Sequence, residues 1–123
     1  SMTRQEVPDQ DRDSVGALLT TNAQKLIMAF YTYIAACQSN TAIYIGVTGD
    51  LLKRMSEHKS GYGGRHTSKY RIRKLVYFEM HETLPEAIAR EKKLKRWRRD
   101  WKDALIKEQN PNWSDLMLEV SFL

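Results

Sequence analysis

The sequence predicts an α+β domain: a small three-stranded, mainly antiparallel sheet flanked by helices. Three observations predict it. Two apolar, aromatic runs lie close together across a short polar break. A third apolar run follows a basic, glycine-containing segment. Helical patterns with recognisable start and stop signals fill the remaining chain.

Residues 28–37 (MAFYTYIAAC) suit a central strand and residues 42–47 (AIYIGV) a second. The break at Gln38-Ser39-Asn40 is too short for a crossover, so the two runs form an antiparallel hairpin. Gly46 interrupts an otherwise strong strand, which predicts a close approach by another group or a bulge. Asp50 is a good N-cap for a helix over 51–59, since its carboxylate can accept orphan backbone N–H bonds. Leu51, Leu52, Met55 and His58 mark a partly apolar stripe on that helix, and Arg54 and His58 stand one turn apart on one face. Gly61, Gly63 and Gly64 stop the helix and open a mobile, basic loop through Arg73 that carries Tyr62, Arg65, His66, Lys69, Tyr70 and Arg71.

Residues 75–80 (LVYFEM) are the third strand. A long helix over 84–99 has Pro85 in its first turn, where a missing N–H costs little. Trp101, Leu105 and Ile106 predict a further short helix, ended by Asn110-Pro111-Asn112. Trp113, Leu116 and Met117 then fold back onto the body, and Trp97 and Trp101 read as core anchors.

The 123 residues support one modest core. Residues 1–27 are polar and aperiodic and read as a flexible tail, leaving 28–120 as the domain. No run of 18 apolar residues predicts a membrane span, and the acid-bearing start lacks the apolar stretch of a secretory signal. The single cysteine, Cys37, excludes an internal disulfide and a four-cysteine metal site; in an apolar strand it reads as buried filler. A reducing, cytoplasmic setting fits these features.

The net charge of +5 hides a stronger asymmetry: residues 51–102 hold 16 Lys plus Arg against 6 Asp plus Glu, an excess of 10. Such a zone attracts a polyanion, an attraction that salt weakens. Nucleic acid is the expected partner, with an anionic membrane surface as competitor. Lys92, Lys95, Arg96 and Arg99 fall on one helical stripe able to track a phosphate backbone; Lys53, Arg65 and Lys69 add cations on the first helix and the loop.

Hydrolysis of a phosphodiester needs a nucleophilic water, charge stabilisation on the phosphoryl group and usually a metal. Tyrosine can orient or deprotonate water once activated, arginine suits the non-bridging oxygens, and a carboxylate suits Mg²⁺. The segment Tyr31-Thr32-Tyr33, a gap of ten residues and Tyr44-Ile45-Gly46 resemble the paired motif that names the GIY-YIG nuclease superfamily. Arg54 in Asp50-Leu51-Leu52-Lys53-Arg54 and Glu91 in Ala87-Ile88-Ala89-Arg90-Glu91 follow in the family's helix positions. Thr67-Ser68-Lys69-Tyr70, the run Lys95-Arg96-Trp97-Arg98-Arg99 and Asn110-Pro111-Asn112-Trp113 resemble its small stand-alone bacterial subgroup, related to the nuclease domain of the excision-repair endonuclease. The resemblance spans about residues 29–118.

It implies a metal-dependent DNA endonuclease, selective for DNA structure, using one Mg²⁺ or Mn²⁺ ion held by Glu91. Tyr33 would support the hydrogen-bond network, Tyr44 would position or deprotonate the water, and Arg54 would bind the scissile phosphate. His58 would be an auxiliary base or phosphate ligand, and Asn110 would order the far edge of the site. The implied substrate is DNA, branched or single-stranded, met by a monomer or weak homodimer. Two features depart from the pattern: Tyr-Thr-Tyr replaces Gly-Ile-Tyr, and Val47 stands where some relatives place a lysine. Val47 supports the alternative of a catalytically weak or inactive nucleic-acid-binding module. A third reading is an interaction subunit whose protein partner supplies specificity. His66 and His81 read as surface histidines.

Overall fold

Residues 30–36 are apolar on both sides of the alternation apart from Thr32, as suits a strand covered on both faces. A computed structural model describes residues 29–120, so the expected tail lies outside the described residues. In it β1 (Phe30–Ala36) is the central strand of a three-stranded sheet between β2 (Ile43–Thr48) and β3 (Lys74–His81), antiparallel to both. The hairpin closes with the Cys37 N–H on Ala42 O at 3.0 Å, and Asn40 takes a left-handed φ of 66° in the turn. Cys37 is buried as expected, yet it lies past the end of β1 in polar company. Its Sγ meets the hydroxyls of Ser39 and Thr41 and the N–H of Ala42.

Side chains alternate across β1 and build two cores. Tyr33, Ala35 and Cys37 pack with Leu51 and Met55 of α1 (Leu51–Ser60), with Ile72 and Leu75, and with Leu116 and Val120 at α5 (Met117–Val120). Ile34 and Ala36 pack on the other face with Ile45, Leu94 of α3 (Leu84–Arg96), Ile106 of α4 (Arg99–Gln109) and Trp113. The sheet is therefore the middle of three layers. Ile34 pairs with Tyr77 but Ala35 with Leu75, so Val76 is an extra residue on β3. This bulge lets Val76 and Tyr77, adjacent in sequence, join the same core.

Asp50 caps α1 by accepting the Lys53 N–H at 3.1 Å, and Gly61 ends the helix at φ 89°. Leu51, Met55 and His58 are its buried face; Leu52 is exposed and falls outside the expected stripe. The segment expected to be a loop contains one short helix, α2 (Arg65–Lys69). Thr83 caps α3 and accepts the Glu86 N–H at 3.3 Å.

That helix stops at Arg96, three residues earlier than its pattern predicts. Trp97 and Arg98 are extended, and α4 begins at Arg99. The bend lets Leu94 and Ile106 reach one core, with Trp97 packed at its edge. It also turns Trp101 outward: the residue is 49% exposed and is no core anchor.

The outer edge of β3 is met by the end of the described chain. Leu116 donates its N–H to Leu75 O at 2.8 Å, and the Leu75 N–H reaches Asp115 Oδ1 at 3.2 Å. Gln109 bonds both main-chain groups of Phe78, at 3.1 and 2.9 Å. Buried Asn110 donates to Val76 O at 3.1 Å and holds Ser114 by two further bonds.

Candidate active site

Strand periodicity puts Tyr33, Tyr44 and Gly46 on the face that meets α1. Tyr33 lies directly opposite Gly46. A Cβ at position 46 would sit 2.6 Å from Tyr33 Oη and 2.8 Å from the Tyr44 ring, so the glycine makes the room in which the Tyr33 phenol lies. Helix periodicity brings His58 and Arg54 to the same place. Tyr33 Oη and His58 Nε2 are 2.9 Å apart. The Tyr33, Tyr44 and His58 rings are mutual neighbours, with centroids 6.2, 5.8 and 5.6 Å apart. Arg54 interacts with both phenol hydroxyls and donates to Glu57 Oε1 at 3.0 Å.

The electrostatics separate these groups. Tyr33 is fully buried, and burial, only partly offset by Arg54, pushes it up to about 12. His58 is held below its ordinary value by burial first and then by the Arg54 charge, so it is neutral at pH 7. The contact with Tyr33, followed by those with Glu57 and Tyr44, raises Arg54 further and keeps it charged. Gly63 closes the site from the loop side: a Cβ there would meet His58 Nδ1 at 2.1 Å. That nitrogen is buried without a hydrogen-bond partner among the described residues.

Glu91 comes from α3, which packs across β1 and β2. Its negative charge acts on the Tyr33 phenol, and its Oε2 pairs with Lys95 Nζ at 3.1 Å. Among the described residues no cluster of three or more His, Cys, Asp or Glu could hold a metal. A lone, largely buried carboxylate suits a hard ion that keeps most of its own water, as Mg²⁺ does.

The expected nucleic-acid contacts divide into three groups. Lys53 and Arg54 line a cleft of about 410 Å³ with Val47, Thr48, Gly49, Asp50 and Glu57. Arg65 and Lys69 are exposed on α2, where Lys69 Nζ sits 5.3 Å from the Tyr70 ring centre. Lys92, Lys95 and Arg96 are exposed on α3. Arg99 does not continue their stripe, because the bend places it in α4. There it binds Asp103 and the carbonyls of Asn40 and Thr41 at the hairpin turn.

Sequence reasoning missed Glu57, although its three-residue spacing from Arg54 was a usable signal. It also missed Gly63, whose contact depends on the loop path. His66, expected to be plain surface, is exposed but forms a row of rings between Tyr44 and Tyr70, with centroids 6.4 and 4.9 Å away.

Residues 29–104 match the family described as the GIY-YIG catalytic domain. The chain belongs to that family. It is similar to a UPF0213 protein of Syntrophus aciditrophicus, 43% identical over 82 residues that cover 66% of this chain and 92% of the relative. UPF0213 proteins of Bacillus pumilus and Staphylococcus aureus are 38% and 39% identical, over 63% and 64% of this chain and 79% and 95% of their own lengths. No solved structure matches. In this GIY-YIG domain the paired motif supplies the two tyrosines and Gly46, and α1 supplies Arg54 and His58. Among the described residues no helix is long and apolar enough to cross a membrane.

Proposed function

We propose that this chain is a divalent-metal-dependent endonuclease that hydrolyses phosphodiester bonds in DNA. Family membership supports a nuclease-type function. The observation that carries the reading is the convergence of Tyr33, Tyr44, Arg54 and His58 on one patch, with the charge of Glu91 acting on it.

Tyr33 stays protonated at neutral pH and fixes the network. A bare ring nitrogen is cheaper to bury than an unmet N–H, so the unpartnered Nδ1 favours a His58 proton on Nε2, donated to Tyr33 Oη. The Tyr33 hydroxyl then donates onward, away from His58. Tyr44 is the more open phenol; it positions the attacking water and, as the phenolate beside the Arg54 guanidinium, takes the water's proton to become the neutral phenol. The Arg54 guanidinium binds the non-bridging oxygens of the scissile phosphate and stabilises their developing charge. Glu91 would hold one Mg²⁺ or Mn²⁺, which supplies Lewis-acid stabilisation of phosphoryl charge. The ring row Tyr44, His66 and Tyr70 favours substrates with unstacked bases, hence branched or single-stranded DNA over intact duplex.

The test is cleavage of end-labelled single-stranded, nicked, branched and duplex DNA with Mg²⁺ or Mn²⁺. Parent protein should cut, Glu91→Ala should lose metal-dependent cutting, and Tyr44→Phe should slow it roughly 10²–10⁴-fold. Equal traces from parent and folded Glu91→Ala would sink the proposal. One observation favours a weakly active or inactive binding module instead: Arg54 and Glu91 are already in ion pairs, at 3.0 and 3.1 Å. Salt-sensitive binding without cuts would select that reading.

A further inference from the structure

A second basic cavity of about 300 Å³ shares no lining residue with the cleft of Lys53 and Arg54. It opens where the C-terminal ends of β1 and α1 come together, and Lys59, Arg71, Arg73 and Lys74 line it with one acid, Asp115. Four cations against one carboxylate leave an excess of three positive charges.

The carboxylate is already occupied. Asp115 Oδ2 binds Lys59 Nζ, and its Oδ1 accepts the N–H groups of Leu75 and Met117, both at 3.2 Å. It therefore orients Lys59 more than it opposes an anion. Lys59 is also fixed by Arg73 O at 3.1 Å, and Lys74 by Asn40 Oδ1 at 2.7 Å. The guanidinium groups of Arg71 and Arg73 have no hydrogen bond or ion pair among the described residues; that of Arg73 lies over Gly61.

The backbone fixes where one of these arginines stands. Arg71 holds a left-handed φ of 55° just beyond α2, a position that glycine usually fills at helix ends. The turn closes with the Ile72 N–H on Thr67 O at 2.9 Å and the Arg71 N–H on Ser68 O at 3.3 Å, so a helix-ending motif fixes the backbone of Arg71 at the cavity. Lys59 follows Arg54 by five residues on α1, ~7.5 Å further along the axis and about 140° around it, so the cavity lies on a different face of the helix that carries Arg54.

We infer that this cavity is a second phosphate seat: Arg71 and Arg73, together with Lys59 and Lys74, grip a nucleic-acid phosphate at the C-terminal end of the helix that carries Arg54. The ligand is a phosphate oxyanion, either an internal diester or a terminal monoester. The inference rests on the nucleic-acid reading above, but it does not require that the chain cut.

The experiment is fluorescence anisotropy with a labelled single-stranded oligonucleotide, with EDTA present, across a salt series. Arg71→Gln with Arg73→Gln should weaken binding about tenfold at ~50 mM salt and flatten the log–log salt slope by about 1.4, two contacts at ~0.7 each. Arg71→Lys with Arg73→Lys keeps the charge and should restore the slope. Arg98→Gln with Lys107→Gln removes the same charge elsewhere and serves as control. A loss no larger than the control's overturns the seat, as does a parent that binds no oligonucleotide. Oligonucleotides with and without a terminal phosphate separate the sources. A defect confined to the phosphorylated probe assigns a monoester, and an equal defect on both assigns a diester. If binding behaves as expected but the parent never cuts, the nuclease reading falls and the seat stands. If the parent cuts and the variants bind normally, the seat falls alone.

Discussion

At Gly46 a single missing methyl group sets the position of a phenol. The space that its Cβ would take is filled by Tyr33 Oη, which in turn meets His58. Gly46→Ala must displace a fully buried ring, and overpacking of this kind costs about 1–3 kcal/mol. Urea unfolding should show that loss, and an unchanged midpoint would refute the packing argument. The close approach at Gly46 was legible because glycine inside a strand run needs a reason. Tyr33, Tyr44, Arg54 and His58 were legible as a group through the resemblance of their segments to the GIY-YIG motifs; helix periodicity by itself pairs only Arg54 with His58. The contact of Gly63 with His58 was not legible, since no local rule fixes where a glycine-rich loop returns.

Among the elements, the hairpin could be read from the sequence because its polar break is too short for anything else. The bulge at Val76 could not, since LVYFEM carries no glycine or proline and its one charge, Glu79, lies beyond the change of register. The bend at Trp97 and Arg98 lacks proline and glycine too, and only the need of Leu94 and Ile106 to reach one core accounts for it. For that reason Arg99 was misplaced on the stripe of Lys92, Lys95 and Arg96. Asn110 was expected to order the edge of the site; it instead ties the turn after α4 to β3. Asn110→Ala leaves Val76 O and the main chain of Ser114 without these partners, at a cost of about 1–3 kcal/mol. Thermal unfolding measures it, and a loss below about 0.5 kcal/mol, the usual size for surface substitutions, would show that water replaces the amide at no cost.

The whole molecule should lose stability to acid in two stages, one from each side of the sheet. His58 is lowered from 6.5 by burial and by Arg54, with Glu57 opposing. Below pH 6.5 the unfolded chain binds a proton that the folded chain refuses, so stability falls as pH drops through that value. Burial alone would raise Glu79, but His81, Arg90 and Tyr77 together hold it below 4.5. Its contribution is present above that value and is lost as pH falls through the lowered one. The unfolding midpoint should therefore begin to drop below about pH 6.5, and His58→Gln should remove the first stage while leaving the second. A profile flat from pH 7 to 5 would contradict the burial of a neutral histidine. Crowding of copies against one another is governed by a different part of the fold. Because Gln109, Asn110, Asp115 and Leu116 already occupy outer main-chain groups of Leu75, Val76 and Phe78, a strand from a neighbouring molecule finds the first half of β3 taken. Among the described residues the less guarded edge is β2, six residues long, so growth of the sheet from chain to chain is favoured on that side.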